Sequence, residues 1–329
     1  MAAPVFLAID GNSLVHRAYH AQARTGRPEW AVRGLLMQLV AAVDRIRPTA
    51  VVVGFDDPDV SLRREQWPAY KAQRTDKLDT LVEQLAAAAD TLRALGIPVV
   101  VPDGLEADDV LASTAAHARE VGGTTVVVTS DRDAFALIDD TTRVLRIING
   151  GVECSPLMTA ERLVMLLGVR PEQYRDFAAL RGDPSDNLPG VRGIGPQTAA
   201  RLLQEFGSAR AAFDDLDGVR ARLGRSVAAR LGADGARAAW ELNCQVMAMR
   251  ADVAVQPGPL PLDADAVARV FGAQQLVWTV NDALCVLAHA DPDRLERPRA
   301  PLPSWVDAAP ARREPLPRLV PRPAQLSLF

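Results

Sequence analysis

The stretch TTVVVTSDRD, Thr124 to Asp133, reads as a buried strand that ends in carboxylates. Three valines framed by threonines favour extended backbone, Gly122-Gly123 turns the chain before them, and Asp131 and Asp133 follow at once. The pattern recurs upstream: Val5 to Ile9 leads into Asp10, Ala50 to Phe55 into Asp56, and Pro98 to Val101 into Glu106, Asp108 and Asp109. Arg143 to Ile147 supplies a fifth run. Between strands, Leu78, Leu81, Leu85, Leu92 and Leu95 fall at helical spacing until Gly96 and Pro98 stop the helix. Strands alternating with helices predict an α/β domain on a parallel sheet.

In open parallel sheets the loops at the carboxyl ends of the strands converge, so these seven acidic residues are expected on one rim. Unpaired like charges brought together either protonate or require cations. Oxygen-only donors suit Mg²⁺ or Mn²⁺, whereas four histidines and three scattered cysteines (Cys154, Cys244, Cys285) show no zinc spacing. An odd, scattered cysteine count also fits a reducing cytoplasm. Asp183 and Asp186, in GDPSDN, are candidates to lean onto the same rim.

Composition agrees with a folded, water-facing chain. The 329 residues are 48 % hydrophobic and 24 % charged, which excludes collagen-like, fully disordered and disulfide-scaffold classes. No apolar run approaches the roughly 20 residues of a bilayer span, and MAAPVFLAID lacks the basic start of an export signal. Membrane association is not expected. From about Pro171 the strand-like runs give way to helical segments such as Thr198 to Phe206 and Ala236 to Met249. Residues 291–329 hold nine prolines and read as a semi-extended linker. The expected domains are therefore 1–175 (α/β), 176–290 (helical) and 291–329 (tail).

Two further segments point to nucleic acid. Arg63, Arg64, Lys71, Arg74 and Lys77 are interleaved with Trp67 and Tyr70, and cations that steer phosphates beside rings that stack on bases suit a single strand. A solvated amphipathic helix is the plainer alternative. Gly193-Ile194-Gly195-Pro196-Gln197-Thr198 precedes a helix, where free amides meet phosphates, although a G-x-G alone is common. His16 and His20, four apart, are read as packing and surface groups rather than as a metal pair. No phosphate loop of the nucleotide-triphosphatase type occurs.

IDGNSLVHRAYHA, VVVGFDDP, WPAYKAQR, GLEADDVLA, VTSDRDAFAL and LRGDPSDNLPGVRGIGPQTAARLL, in this order, resemble the bacterial 5′-nuclease, or flap endonuclease, family over residues 5–290. That family includes free-standing enzymes and the N-terminal domain of DNA polymerase I. The resemblance implies a PIN-like parallel-sheet nuclease domain with a helical arch at about 58–80, and an all-helical domain carrying a helix–three-turn–helix element. It further implies two divalent ions held by Asp10, Asp56, Glu106, Asp108, Asp109, Asp131, Asp133, Asp183 and Asp186. The first four would favour one ion, and Asp131, Asp133 and Asp186 the other, with Asp109 and Asp183 acting through water. Lys71 and Arg74 match the basic residues that reach toward the scissile phosphate. Arg63, Arg64, Tyr70 and Lys77 would line the single strand. Gly193, Gly195, Gln197 and Thr198 would grip duplex DNA, with K⁺ on the carbonyls of Val191 and Ile194.

The net charge of −4 is no obstacle, since setting those nine carboxylates aside leaves +5 on the rest of the chain. The terminal Gln325-Leu326-Ser327-Leu328-Phe329 resembles a sliding-clamp docking peptide, with Gln325, Leu326, Leu328 and Phe329 as its contacts. The expectation is a free-standing, monomeric, cytoplasmic and nucleoid-associated bacterial enzyme. It would cut DNA with a 5′ flap, nick or 5′ end by two-metal catalysis, as flap endonuclease and 5′–3′ exonuclease in replication and repair. A PIN-type ribonuclease and a non-catalytic clamp-bound DNA adaptor are the alternatives.

Overall fold

A computed structural model describes residues 3–22, 29–74, 77–276 and 279–290. The expected clamp contacts Gln325, Leu326, Leu328 and Phe329 lie outside the described residues. Strands β1 (Val5–Asp10), β2 (Ala50–Gly54), β3 (Val99–Val100), β4 (Thr124–Thr129), β5 (Thr142–Arg146) and β6 (Leu157–Met158) lie in the order β3-β2-β1-β4-β5-β6. The first five pair in parallel, and β6 closes one edge antiparallel to β5. Because β1 sits between β2 and β4, the chain leaves it in both directions, and the crevice beyond its carboxyl end is a topological switch point.

Both faces of the sheet are covered, which is why its central strands read as continuous apolar runs. Leu7, Ile9, Val51, Val53, Val126 and Val128 face one way, onto α1 (Gly11–Gln22), α2 (Trp30–Ile46) and α4 (Asp79–Ala94). Ala8, Val52, Val127 and Val144 alternate to the other face and meet α5 (Ala107–Glu120). A short helix, α3 (Leu62–Gln66), opens the segment expected to form the arch.

The core around α5 continues without a break into the helical half. Tyr174 and Phe177 of α7 (Tyr174–Arg181), Leu202 and Leu203 of α8 (Pro196–Phe206) and Trp240 of α12 (Ala236–Val246) belong to the same cluster as Val52 and Val110. Helices α6 (Ala160–Leu167), α9 (Ala209–Asp214), α10 (Leu216–Leu223) and α11 (Arg225–Leu231) complete this half. The helices α13 (Ala264–Ala273) and α14 (Val280–Leu287) return to α2 and α4, where Val267, Phe271, Ala283 and Leu287 join the core of the opposite sheet face.

The second half is helical, as the sequence suggested, apart from three strands of two residues each. Gly182–Asp183 (β7) pairs antiparallel with Leu188–Pro189 (β8), and Gly258–Pro259 (β9) adds antiparallel to β2. Strands of two residues are too short to leave an alternation in the sequence. The β7–β8 turn also demands glycine: Gly182 has φ +77°, and a Cβ there would run into the backbone of Gly190. No helix among the described residues is long and apolar enough to cross a membrane.

Candidate active site

Four loops at the carboxyl ends of β1 to β4 meet in a cleft of about 890 Å³ lined by Asp10, Asp56, Glu106, Asp108 and Asp131. Glu106 and Asp108 also face an adjoining recess, which Asp133 and Asp186 line. Asp183 acts on Asp133 and Asp186 by charge from the β7–β8 turn. Each carboxylate is aimed by local bonds. Asp10 accepts from the Ser13 amide at 2.8 Å and the Thr129 hydroxyl at 2.7 Å. Asp56 accepts from Asn12 Nδ2 at 2.6 Å and from the Ala107 amide at 2.9 Å. Asp131 Oδ1 accepts the Asp133 amide at 2.9 Å, which ties those two together.

Asp109 stands apart. It is fully buried, and its oxygens accept from both terminal nitrogens of Arg63, from the Glu106 amide and from the Arg250 amide. The capping position three residues into α5 turns it away from the cleft, a difference that one step along a helix always makes. Asn12, Ser13, Thr129 and Ser130 orient the rim without having been singled out in the sequence. Ser13 and Ser130 join the β1 and β4 loops through their hydroxyls at 2.6 Å. Their signal was position: polar residues at or within three positions of the ends of two buried strands.

Charge crowding shows in the acidities. Burial, with the Asp56 and Asp131 charges added, raises Asp10 to about 7. Burial and the neighbouring Asp131, Asp183 and Asp186 raise Asp133 to about 7 as well. Asp108 is driven far above the ordinary carboxylate range by burial, Asp131, Asp10 and Glu106. Glu106 goes the other way, because Lys71 and Arg63 outweigh its burial.

The arch segment supplies those cations. Lys71 Nζ lies 2.9 Å from Glu106 Oε1, and Arg74 pairs with Asp186. Lys71 adopts φ +54°, and its amide donates to the Asp186 carbonyl at 2.9 Å, so the segment is pressed onto the β7–β8 turn. Arg64 and Lys77 line the cleft, as does His16, whose imidazole is lowered to about 4 by burial together with Lys77, His20 and Arg74. Two residues expected on a single strand are instead interior. Arg63 is 9 % and Tyr70 5 % exposed, and both donate to Glu106. Burial against the 246–250 stretch, remote in sequence, explains why a local pattern of cations and rings did not show this.

At the start of α8, Gly193, Gly195 and Gln197 are exposed and Thr198 half-buried. Gly193 takes φ +80°, and Arg230 of α11 donates to its carbonyl at 2.7 Å. The Val191 carbonyl accepts the Ile194 amide at 2.9 Å, closing the turn.

Among the described residues no three carboxylate, imidazole or thiol groups already enclose a common point as a metal cage. The donor set nevertheless suits a hard divalent ion. It is oxygen-only and crowded enough to raise Asp10, Asp108 and Asp133, and Asp133 Oδ1 is buried with no hydrogen-bond partner.

Comparison with known proteins bears on the family and the fold. Residues 5–165 match the family model described as 5′-3′ exonuclease, N-terminal resolvase-like domain, and residues 169–267 match 5′-3′ exonuclease, C-terminal SAM fold. DNA polymerase I of Mycobacterium tuberculosis is 37 % identical over 281 residues, covering 82 % of this chain and 30 % of the polymerase. DNA polymerase I of Chloroflexus aurantiacus is 32 % identical over 339 residues, covering 100 % of this chain and 34 % of its own length. The chain thus spans about a third of these relatives. In fold it is similar to bacteriophage T5 5′-exonuclease, solved with divalent metal ions (zinc) bound: TM-score 0.62, 20 % identity, 86 % of this chain and 99 % of that one. With the strand-end carboxylates and both domain models in one chain, this protein belongs to the 5′-3′ exonuclease family.

Proposed function

We propose that the chain is a structure-specific 5′ nuclease, acting as flap endonuclease and 5′–3′ exonuclease on DNA with Mg²⁺ or Mn²⁺. The observation that carries this reading is Lys71, 2.9 Å from Glu106 in a cleft lined by Asp10, Asp56, Asp108 and Asp131. A phosphate-seeking cation is thereby set against a hard-ion donor set. Asp10, Asp56, Glu106 and Asp108 would hold one ion, and Asp131, Asp133 and Asp186 the other, with Asp183 behind them. Such ions acidify the attacking water and offset charge developing on the leaving 3′-oxygen.

The protein's own groups do the rest. Glu106 and Asp186 keep Lys71 protonated against its burial, so its ammonium can donate to a phosphate oxygen as a full charge. Arg74, on the same turn, offers a planar fork to the same phosphate. The exposed residues Gly193 and Gly195, at the start of α8, let a duplex phosphate approach the backbone closely and be positioned without the bases being read. The carbonyls of Val191 and Ile194 form the rim proposed for K⁺. The sequence QLSLF supports docking on a sliding clamp, and through it a role of a monomeric enzyme in replication and repair at the nucleoid.

End-labelled 5′-flap DNA, matched single-stranded RNA and blunt duplex, each with Mg²⁺, Mn²⁺ or EDTA, test the reading. Cleavage of the flap near its junction, lost in EDTA, is expected. Cleavage confined to RNA would assign a PIN-type ribonuclease, and flap binding without cleavage a DNA adaptor.

A further inference from the structure

Arg63 was expected to face a single strand, yet its side chain is only 10 % exposed and four hydrogen bonds occupy it. One terminal nitrogen, Nη1, donates to Glu106 Oε2 at 2.8 Å and to Asp109 Oδ2 at 3.0 Å. The other, Nη2, donates to Asp109 Oδ1 at 2.6 Å and to the Ala248 carbonyl at 3.0 Å. Three separate parts of the chain meet on this one guanidinium: the arch base, the first turn of α5 and the strap that follows α12. Arg250 and Val253 of the same strap fasten to α5 by donating their amides to Asp109 at 2.7 Å and to Ser113 Oγ at 3.0 Å.

Glu106 is held by two further donors. Tyr70 Oη donates to Oε2 at 3.1 Å, and Lys71 Nζ donates to Oε1 at 2.9 Å. Resting on the nuclease reading above, we infer that Arg63 is a positioning residue: it sets the Glu106 carboxylate, and with it the place of Lys71 over the cleft. Arg63 touches no substrate in this role. Its planar fork is what spans Glu106, Asp109 and Ala248 at once, and a lysine ammonium of equal charge cannot reproduce that span. Asp109 has no such freedom to change, because removing the guanidinium altogether would leave its charge buried and unpaired.

The test is a double-mutant cycle in the full chain. Arg63→Lys and Glu106→Asp, which keeps a carboxylate at the site and so a measurable rate, are compared singly and together for single-turnover cleavage of saturating 5′-flap DNA, with flap affinity measured in EDTA. Arg63→Lys should slow cleavage at least tenfold with affinity within twofold of wild type. The double variant should be no slower than the slower single one, because both changes act through one carboxylate. Multiplying losses would overturn the inference, as would a weakened affinity with an unchanged rate, the mark of a phosphate contact. Should Arg63→Lys fail to fold, Tyr70→Phe removes another Glu106 donor and keeps its ring; it must give the same non-multiplying cycle, and multiplication there refutes the inference equally. A wild-type protein that leaves the flap intact would overturn the nuclease reading instead, and this inference with it.

Discussion

Asp10 and Asp133 each hold a proton at a pH where free carboxylates have lost theirs, since both are raised from 3.8 to about 7. The folded state therefore binds more protons than the unfolded one between these values. Their contribution to stability is complete below about pH 4 and is lost as pH rises through 7. Thermal melts in EDTA should accordingly show the two groups lowering Tm from acid toward pH 8, and Mg²⁺ should raise Tm more at pH 8 than at pH 5. An equal Mg²⁺ effect at both values would contradict the assignment. Asp131 belongs to the same scale. Asp131→Asn keeps the shape of the loop and removes its charge, so cleavage should vanish while flap binding in a gel-shift assay persists; normal turnover would remove Asp131 from the site. The carboxylates could be read from the sequence because each sits within a few residues of a strand end. The burial of Arg63 and Tyr70 could not, because groups that cover them come from Leu188 and from residues 246–250.

At the scale of elements, the β7–β8 turn decides whether the second group of carboxylates reaches the first. It carries Asp183 and Asp186, and it receives the arch through the Lys71 amide, Gln73 and Arg74. Its conformation depends on Gly182, where φ is +77° and the Gly190 backbone leaves no room for a Cβ. Gly182→Ala should therefore cost more than the ~1–3 kcal/mol of a strained backbone alone, seen as a lowered Tm, and should slow cleavage as Asp186 shifts. An unchanged melt would mean that the turn relaxes freely. Periodicity predicted the long elements within a few residues: the Thr198 to Phe206 segment begins at Pro196, and that beginning at Ala236 ends at Val246. It missed β6 to β9 because a pair of residues has no period.

Taken whole, the molecule is two apolar layers on either side of one sheet, and the helical half belongs to both. Helices α7, α8 and α12 extend the core on the α5 side, whereas α13 and α14 close the side of α2 and α4. This wrapping fastens the arch base and the turn at Gly193 to the same frame as the strand ends. Activity should thus survive loss of what lies beyond it. Deleting residues 325–329 should leave flap cleavage at the wild-type rate and abolish capture by an immobilised sliding clamp; undiminished capture would defeat the docking proposal.

By itself the sequence determined the five parallel strands, that carboxylates follow the first four of them, and that cations and a glycine turn occur in a fixed order, because these depend on neighbours a few positions away. Tertiary structure alone decided which cation serves which carboxylate. Arg63 and Asp109 turned inward, Lys71 and Arg74 went to Glu106 and Asp186, and the last helices crossed back to the first sheet face. Those outcomes depend on burial and on charges brought close by folding, and both are properties of distance in space rather than of spacing along the chain.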